Sequence, residues 1–457
     1  VTAWVKRHSP MLPISMFGIV LALVAALTLP GVRVAVARAL PWGSHGAGMP
    51  APGSIPPSPS SAADLRAGAS EVVTAGHQFT DRSGRPILLK SIMWEGFNDI
   101  GMMAHGLDRQ PLSYIAGLLK HQGFDSVRLL FSNGMLHFTH RKTDAAVAQK
   151  NPELAGLIPR QAFYRVVEEI TKAGLYVVID NHQTRSGYFR HDEGQWFTAN
   201  YDESRWLRDW DYVAYLFRAN PRVIGYEFRN EVRSNHVDPT EPVWGGGGKY
   251  DWRRAQVAAA TTVWRRNPAK IAFISGLDYD STLVPVVSDP ITAKDFPDMH
   301  GPIYLAYSVH SFAWFSSHDA QGKSLNIHLF TMAPAVQRQV LYASFGFVAA
   351  SNAAYTAPIW LSEFGVTPDA SDTYAATFKN LLSYLSELHI SFGYYTLSSW
   401  YPKQPQYMSH CYDNAPTAQQ DPGYGTHCNN YGLLDRDWSR FVDDWRLEAL
   451  KPLLSSP

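Results

Sequence analysis

Eight short runs rich in β-branched and aromatic residues recur along this chain, and longer stretches with helical periodicity separate them. The runs cover residues 88–97, 126–132, 176–182, 223–231, 271–276, 306–312, 359–365 and 392–400. Helix-patterned segments such as 159–173, 204–219, 251–267 and 373–388 lie between them. Strand followed by crossover helix, repeated, argues for parallel strands joined by right-handed connections. An open doubly wound sheet is the alternative, but neither GxGxxG nor a P-loop follows any of the runs. Eight is the number that closes a parallel barrel. The predicted class is α/β, a (β/α)8 TIM barrel.

At 457 residues the chain suits one large domain with elaborated loops plus an N-terminal extension, residues 64–457 forming the barrel domain. No internal repeat of the solenoid kind is present. Residues 71–91 alternate around Asp81, Arg82, Ser83, Gly84, Arg85 and Pro86, the pattern of a β-hairpin suited to plug the barrel bottom. Residues 41–63, almost free of charge and rich in Pro, Gly, Ser and Ala, read as a flexible linker. Before it, residues 1–40 read as a targeting or anchor segment. No Lys, Arg or acidic residue falls in 8–32, and the apolar stretch 11–29 has about the 20 residues needed to span a bilayer. Lys6 and Arg7 precede it while Arg33 and Arg38 follow, so flanking charge sets no orientation. Small residues around Ala35 and Ala37 offer a cleavage site, but the length of the run favours an anchor. The barrel is expected in the secretory pathway, extracellular or anchored on the non-cytosolic side. Because the sequence opens on Val1 rather than Met, further residues are expected to precede it.

Forty basic against forty acidic residues give no net charge, which argues against nucleic acid and for a neutral partner. Aromatic residues make up 13% of the chain, and many of the 14 Trp fall in segments that read as loops. Two cysteines, Cys411 and Cys428, share a Pro-, Gly- and Asn-rich stretch. A disulfide between them would close a loop worth about 3 kcal/mol and imply an oxidising compartment; two free thiols are the alternative. Without a CxxC pair they do not suggest a zinc site.

The chemistry concentrates at the C-terminal ends of the predicted strands, which converge on one pocket in a barrel. Arg128 lies in the second run, the third ends Asp180-Asn181-His182 and the fourth Arg229-Asn230-Glu231. The sixth reaches His310, the seventh Glu363 and the eighth Trp400. Any one of these suits a satisfied polar group at a strand end; six around one opening are hard to explain structurally. Two glutamates facing across a pocket are what glycosidic hydrolysis needs, one donating a proton to the leaving oxygen, the other attacking the anomeric carbon or activating water. The donor needs its pKa raised from about 4.3 toward about 6, while the other must stay ionised beside donor groups. Arg128 and His310 are candidate donors.

These residues carry a resemblance over roughly residues 76–447. The motifs Ser126-Val127-Arg128, Asp180-Asn181-His182, Arg229-Asn230-Glu231, Ser308-Val309-His310, Ser362-Glu363-Phe364-Gly365 and Leu397-Ser398-Ser399-Trp400, with Tyr431-Gly432-Leu433-Leu434-Asp435, are similar in order and spacing to glycoside hydrolase family 5. The resemblance implies a retaining β-glycosidase with Glu231 as acid/base and Glu363 as nucleophile. Asn230 would hold the sugar 2-hydroxyl and Arg128 the ionised nucleophile. His182 and His310 would touch sugar and carboxylates, and Trp400 would be the platform beneath the sugar. Phe312 stands where the family commonly has Tyr, which removes a hydroxyl donor unless Tyr307, Tyr304 or a loop residue supplies one.

The substrate implied is a polysaccharide, oligosaccharide or glycoconjugate. A β-1,4-glucan is the first expectation, with mannan, another β-glucan or a glycolipid as alternatives. Trp94, Trp244 and Trp314 are candidates to line sugar subsites or to pack within loops. Two rival readings remain, a catalytically silent carbohydrate-binding barrel and a metal-dependent hydrolase. The second is disfavoured because neither HExxH nor HxH occurs on a strand, so no metal or cofactor is expected. A monomer is expected.

Overall fold

The computed structural model describes residues 69–187, 193–235, 237–319, 322–350, 352–399 and 431–456. They belong to the second of two units into which the chain divides, Ile55–Pro457. The predicted anchor and linker, Trp400, Cys411 and Cys428 lie outside the described residues. No helix among the described residues is long and apolar enough to cross a membrane.

Three short antiparallel strands come first: β1 (Val72–Ala75), β2 (Gln78–Asp81) and β3 (Pro86–Ile87). The eight barrel strands follow in part: β4 (Lys90–Phe97), β5 (Ser126–Ser132), β6 (Tyr176–Gln183), β7 (Val223–Glu227), β8 (Ile271–Ser275) and β9 (Leu305–His310). A hairpin, β10 (Ser316–His318) with β11 (Ser324–His328), precedes the last two, β12 (Ile359–Phe364) and β13 (Ser391–Tyr394). All eight pair in parallel and close in sequence order, β13 returning to β4. The predicted strands thus correspond one for one to the observed ones.

Helices cover the outside: α1 (Leu112–Gln122), α2 (Pro159–Lys172), α3 (Glu203–Phe217), α4 (Trp252–Trp264), α5 (Pro334–Leu341), α6 (Asp372–Leu388) and α7 (Trp445–Leu454). In α2, Phe163, Val166, Val167 and Ile170 fall at helical spacing and are all buried against the strands. Asp202 and Asp251 cap α3 and α4, each accepting a backbone N–H of the first turn. The expected eightfold alternation fails at one place. Between β8 and β9 the chain crosses on two short 3-10 turns, Val284–Val287 and Ala293–Asp295, instead of an α-helix. Pro285, Pro290, Pro297 and Pro302 in that stretch deny the helix its N–H donors.

Inside, the barrel has an apolar floor and a polar upper storey. Val72, Phe79 and Leu89 pack under the barrel against Val178, Ile224, Ile271, Phe273, Ala306 and Trp360, which is the plug foreseen for the hairpin. Above them Ser91 and Ser126 share a hydrogen bond of 2.6 Å, and Ser308 and Ser362 share one of 2.5 Å. A register irregularity in β7 helps to build this storey. The pairing steps from Val223 to Gly225 while β6 advances by one residue, so Ile224 faces the floor yet Glu227, three residues on, enters the interior. Glycine is needed at 225, since a Cβ there would lie 2.4 Å from the Ile271 carbonyl oxygen.

Candidate active site

Arg128 is the centre of the upper storey, fully buried on β5. Its Nε donates to Glu227 Oε2 at 2.6 Å, Nη1 to Glu363 Oε1, and Nη2 to Asn230 Oδ1 at 2.8 Å, with Asp180 Oδ1 at 3.4 Å. Burial works against a charged guanidinium, but Asp180, Glu227 and Glu363 outweigh it and raise the Arg128 pKa. One permanent cation therefore joins four strands. Glu227 also accepts from Ser308 Oγ at 2.5 Å, so its carboxylate is held from both sides. Burial, opposed by Arg128 and Arg229, pushes the Asp180 carboxyl up to about 7. Asp180 Oδ2 lies 2.8 Å from His182 Nδ1, which orients that ring.

Glu231 and Glu363 come together over His310. The His310 Nδ1 lies 3.1 Å from Glu231 Oε1 and 3.7 Å from Glu363 Oε2, and an oxygen of each carboxylate falls within 4.8 Å of the other. Their surroundings differ. Glu363 receives the Arg128 guanidinium, whereas burial holds the Glu231 carboxyl above its ordinary value in spite of Arg233, His182 and Arg128. Burial also pulls His310 down to about 4 and His182 to about 3, so both rings are neutral at neutral pH. One glutamate is therefore placed to carry a proton while the other is placed beside a fixed positive charge, the division of labour that protonation and attack require.

The two carboxyls face a cavity of about 520 Å³ lined by the aromatic residues Phe312, Trp314, Tyr395 and Tyr431 and by Asp278, Tyr279 and Ser281. His182 and Asn230 also line it. Phe312 stacks on Trp314 with ring centroids 4.6 Å apart and meets Tyr395 and Tyr431 edge-on at 6.0 Å. The departure noted at Phe312 therefore extends an aromatic wall. Neither Tyr307 nor Tyr304 replaces the missing hydroxyl: Tyr307 packs outward into the main core and Tyr304 against the floor. Among the described residues, the hydroxyl-bearing rings that share the cavity with Glu363 are Tyr279, Tyr395 and Tyr431.

Of the predicted site residues, the structure brings Arg128, His182, Asn230, Glu231, His310 and Glu363 together, and places Trp314, 39% exposed, on the cavity wall. Two of the predicted tryptophans are corrected. Trp94 is 0% exposed, points into the core and spends its Nε1 on the His105 carbonyl at 3.0 Å, so it meets no sugar. Trp244 packs away from the cavity and bonds the Asp289 carbonyl at 2.8 Å. β13 ends at Tyr394 rather than at 400, and Tyr395, the next residue, lines the cavity. Glu227, Asp280 and Tyr395 were not foreseen. An acidic residue within a strand that otherwise reads apolar was the available signal for Glu227.

Two donor triads, Glu227 with Asp280 and His310, and Glu231 with His310 and Glu363, each bring one ligand atom per residue within 4.8 Å. Both include a glutamate already bonded to Arg128, a nearby positive charge that opposes a second cation.

A closed (β/α)8 barrel with an unequal pair of glutamates across an aromatic-walled cavity defines a glycosidase. The model of the cellulase family, glycosyl hydrolase family 5, matches residues 83–400, and the chain belongs to that family. An endoglucanase of Paenibacillus polymyxa is 27% identical over 343 residues, covering 71% of this chain and 79% of that protein. A glycosyl hydrolase 5 family protein of Chamaecyparis obtusa is 26% identical over 405 residues, covering 84% of this chain and 66% of that protein, just under two thirds of its length. Among solved structures, an endocellulase from Pyrococcus horikoshii in complex with cellotetraose superposes with a TM-score of 0.66 at 20% identity, over 84% of this chain and 99% of that one.

Proposed function

We propose that this protein is a retaining endo-β-1,4-glucanase in which Glu231 is the acid/base and Glu363 the nucleophile. The observation that carries the roles is the carboxyl pair itself. An oxygen of each lies within 4.8 Å of the other, a proximity that supports direct attack, for which the carboxyl groups stand about 5–5.5 Å apart. An inverting pair stands further apart, at about 6.5–9.5 Å, to admit a water. Glu231 protonates the leaving oxygen as Glu363 attacks, and then, as a carboxylate, takes a proton from the water that releases the sugar. Arg128 and Asn230 fix the nucleophile and the 2-hydroxyl side of the bound sugar. The Paenibacillus endoglucanase and the cellotetraose held by the Pyrococcus endocellulase favour a β-1,4-glucan.

The test is proton NMR of the first sugar released from cello-oligosaccharides, with mannan oligosaccharides and a glucosylceramide run beside them. The β-anomer should appear before mutarotation. An initial α-anomer would reject the roles of both glutamates, and preferred turnover of mannan or glycolipid would reject the substrate. We further infer that the apolar stretch 11–29 carries the barrel into the secretory pathway, to the non-cytosolic side of a membrane or beyond it; its length and lack of charge support this.

A further inference from the structure

Beneath the acid/base lies a residue that touches no part of the cavity and yet grips both members of the Glu231–His310 pair. Asp280 follows β8 and is fully buried. Its Oδ2 accepts the backbone N–H of Glu231 at 2.8 Å, its backbone carbonyl accepts the N–H of His310 at 3.0 Å, and its Oδ2 stands 4.0 Å from His310 Nε2. We infer that Asp280 is a positioning residue that sets the orientation of Glu231 for proton transfer; the inference rests on the acid/base role proposed for Glu231.

Glu231 is held at φ +48°, in the left-handed region that side-chain-bearing residues rarely adopt. Such a conformation persists only where its neighbours over-determine it. Here both backbone polar groups are clamped, the N–H by Asp280 and the carbonyl by Arg233 Nη1 at 2.5 Å. The loop that delivers Asp280 is itself tightly specified. Asp278, Tyr279 and Asp280 are three successive left-handed residues, with φ of 49°, 60° and 59°. Just before them the chain folds back so closely at Gly276 that a Cβ would lie 2.0 Å from the Thr282 carbonyl oxygen. Burial holds the Asp280 carboxyl well above the usual carboxylate range, Glu227 adding to the effect. What the Glu231 N–H requires at this point is an acceptor oxygen, which an amide supplies as a carboxylate does.

The experiment compares Asp280→Ala and Asp280→Asn in the full chain on aryl β-cellobiosides of graded leaving-group ability. Asp280→Ala should lose on the order of 10²-fold in kcat with poor leaving groups, as misplacement of a reacting group by an ångström does, with KM little changed. Dinitrophenyl glycosides, which need no proton to depart, should suffer a much smaller loss in glycosylation. Asp280→Asn, whose amide oxygen accepts the same N–H, should restore most of the activity. Asp280→Ser carries the same comparison if the alanine variant does not fold. Equal losses for good and poor leaving groups, or no rescue by asparagine, would overturn the inference. Glu231→Ala run in parallel separates the two readings: if that variant too is insensitive to the leaving group, the role of Glu231 fails. A normal leaving-group response there, with uniform losses at Asp280, rejects Asp280 alone.

Discussion

Replacing Arg128 by methionine should cost the protein more than the bonds it removes. The guanidinium is enclosed, with Glu227 Oε2 2.6 Å from Nε and Glu363 on Nη1; the Glu227 carboxylate is closed off from water, and that of Glu363 opens only on the cavity. Taking away the cation leaves two like charges facing an apolar side chain, and breaking a buried pair from one side costs about 3–5 kcal/mol. Glu227→Gln is milder, since the amide oxygen still accepts from Nε and Arg128 keeps Glu363; about 1–3 kcal/mol is expected. Were the two effects independent, the double variant would lose about 4–8 kcal/mol. Orphaned charge makes them dependent: once Arg128 is gone, the Glu227 carboxylate is a liability, and neutralising it should return about 1–3 kcal/mol. Urea unfolding at pH 7 followed by tryptophan fluorescence measures all four proteins. The double variant should unfold at no lower urea concentration than Arg128→Met. A double variant that loses the sum of the single effects to within about 0.5 kcal/mol would refute the claim that Glu227 is there to neutralise Arg128.

Other outcomes follow from the same geometry. Glu231→Ala should still be glycosylated by substrates with good leaving groups and should regain turnover with azide, which replaces the activated water; absence of rescue counts against the acid/base role. Because Glu231 works as an acid only while protonated, activity is lost as pH rises through its pKa, which burial raises. In pH profiles of kcat/KM, Arg233→Gln, which removes an opposing charge, should shift the basic limb upward, and Asp278→Asn should shift it downward. Trp314→Ala, opening the wall beside Phe312, should raise KM for cello-oligosaccharides by roughly 5-fold, about 1 kcal/mol of aromatic contact, and leave kcat on a short aryl glycoside nearly unchanged. A chain starting at Ser60 should lose membrane association and keep its activity and melting temperature; an unfolded product would show that residues before it belong to the barrel.

What was legible in the sequence was whatever depends on residue type and strand order. His182, Asn230, Glu231, His310 and Glu363 each stand near or just beyond the end of a β-rich run, with Arg128 inside one, and parallel closure turns that one-dimensional regularity into a ring. Backbone irregularity hid the rest. The shift at Ile224 and Gly225 breaks the alternation of β7, so no period-2 count places Glu227 inside. The stretch after Tyr394 is still apolar enough to read as strand, which hides Tyr395 among strand residues. Trp94 lies within a β-rich run like the expected site residues, but its ring is buried in the core, where Phe97 and Leu107 also lie. Asp280 becomes visible only once three left-handed residues turn it back beneath another strand's terminus.

The absent helix between β8 and β9 has a consequence for how the enzyme can change. In a regular βα unit the helix insulates: the loop above it varies while the return below stays put, and so barrel enzymes acquire new loops without disturbing their cores. Between Ser275 and Leu305 this chain has no such spacer, only turns anchored by Val286, Ile291 and Phe296 in the core. The same continuous thread carries Asp278 to the cavity and Asp280 to the backbone of Glu231. Insertions here would reach the proton donor directly, whereas the β10–β11 hairpin, whose strands among the described residues pair only with each other and which meets the crossover through His318, 2.9 Å from Asp278, can lengthen or shrink beyond that contact and so reshape one end of the cleft. Diversity in substrate length should collect in that hairpin, and the helix-less crossover should be the quietest part of the upper face.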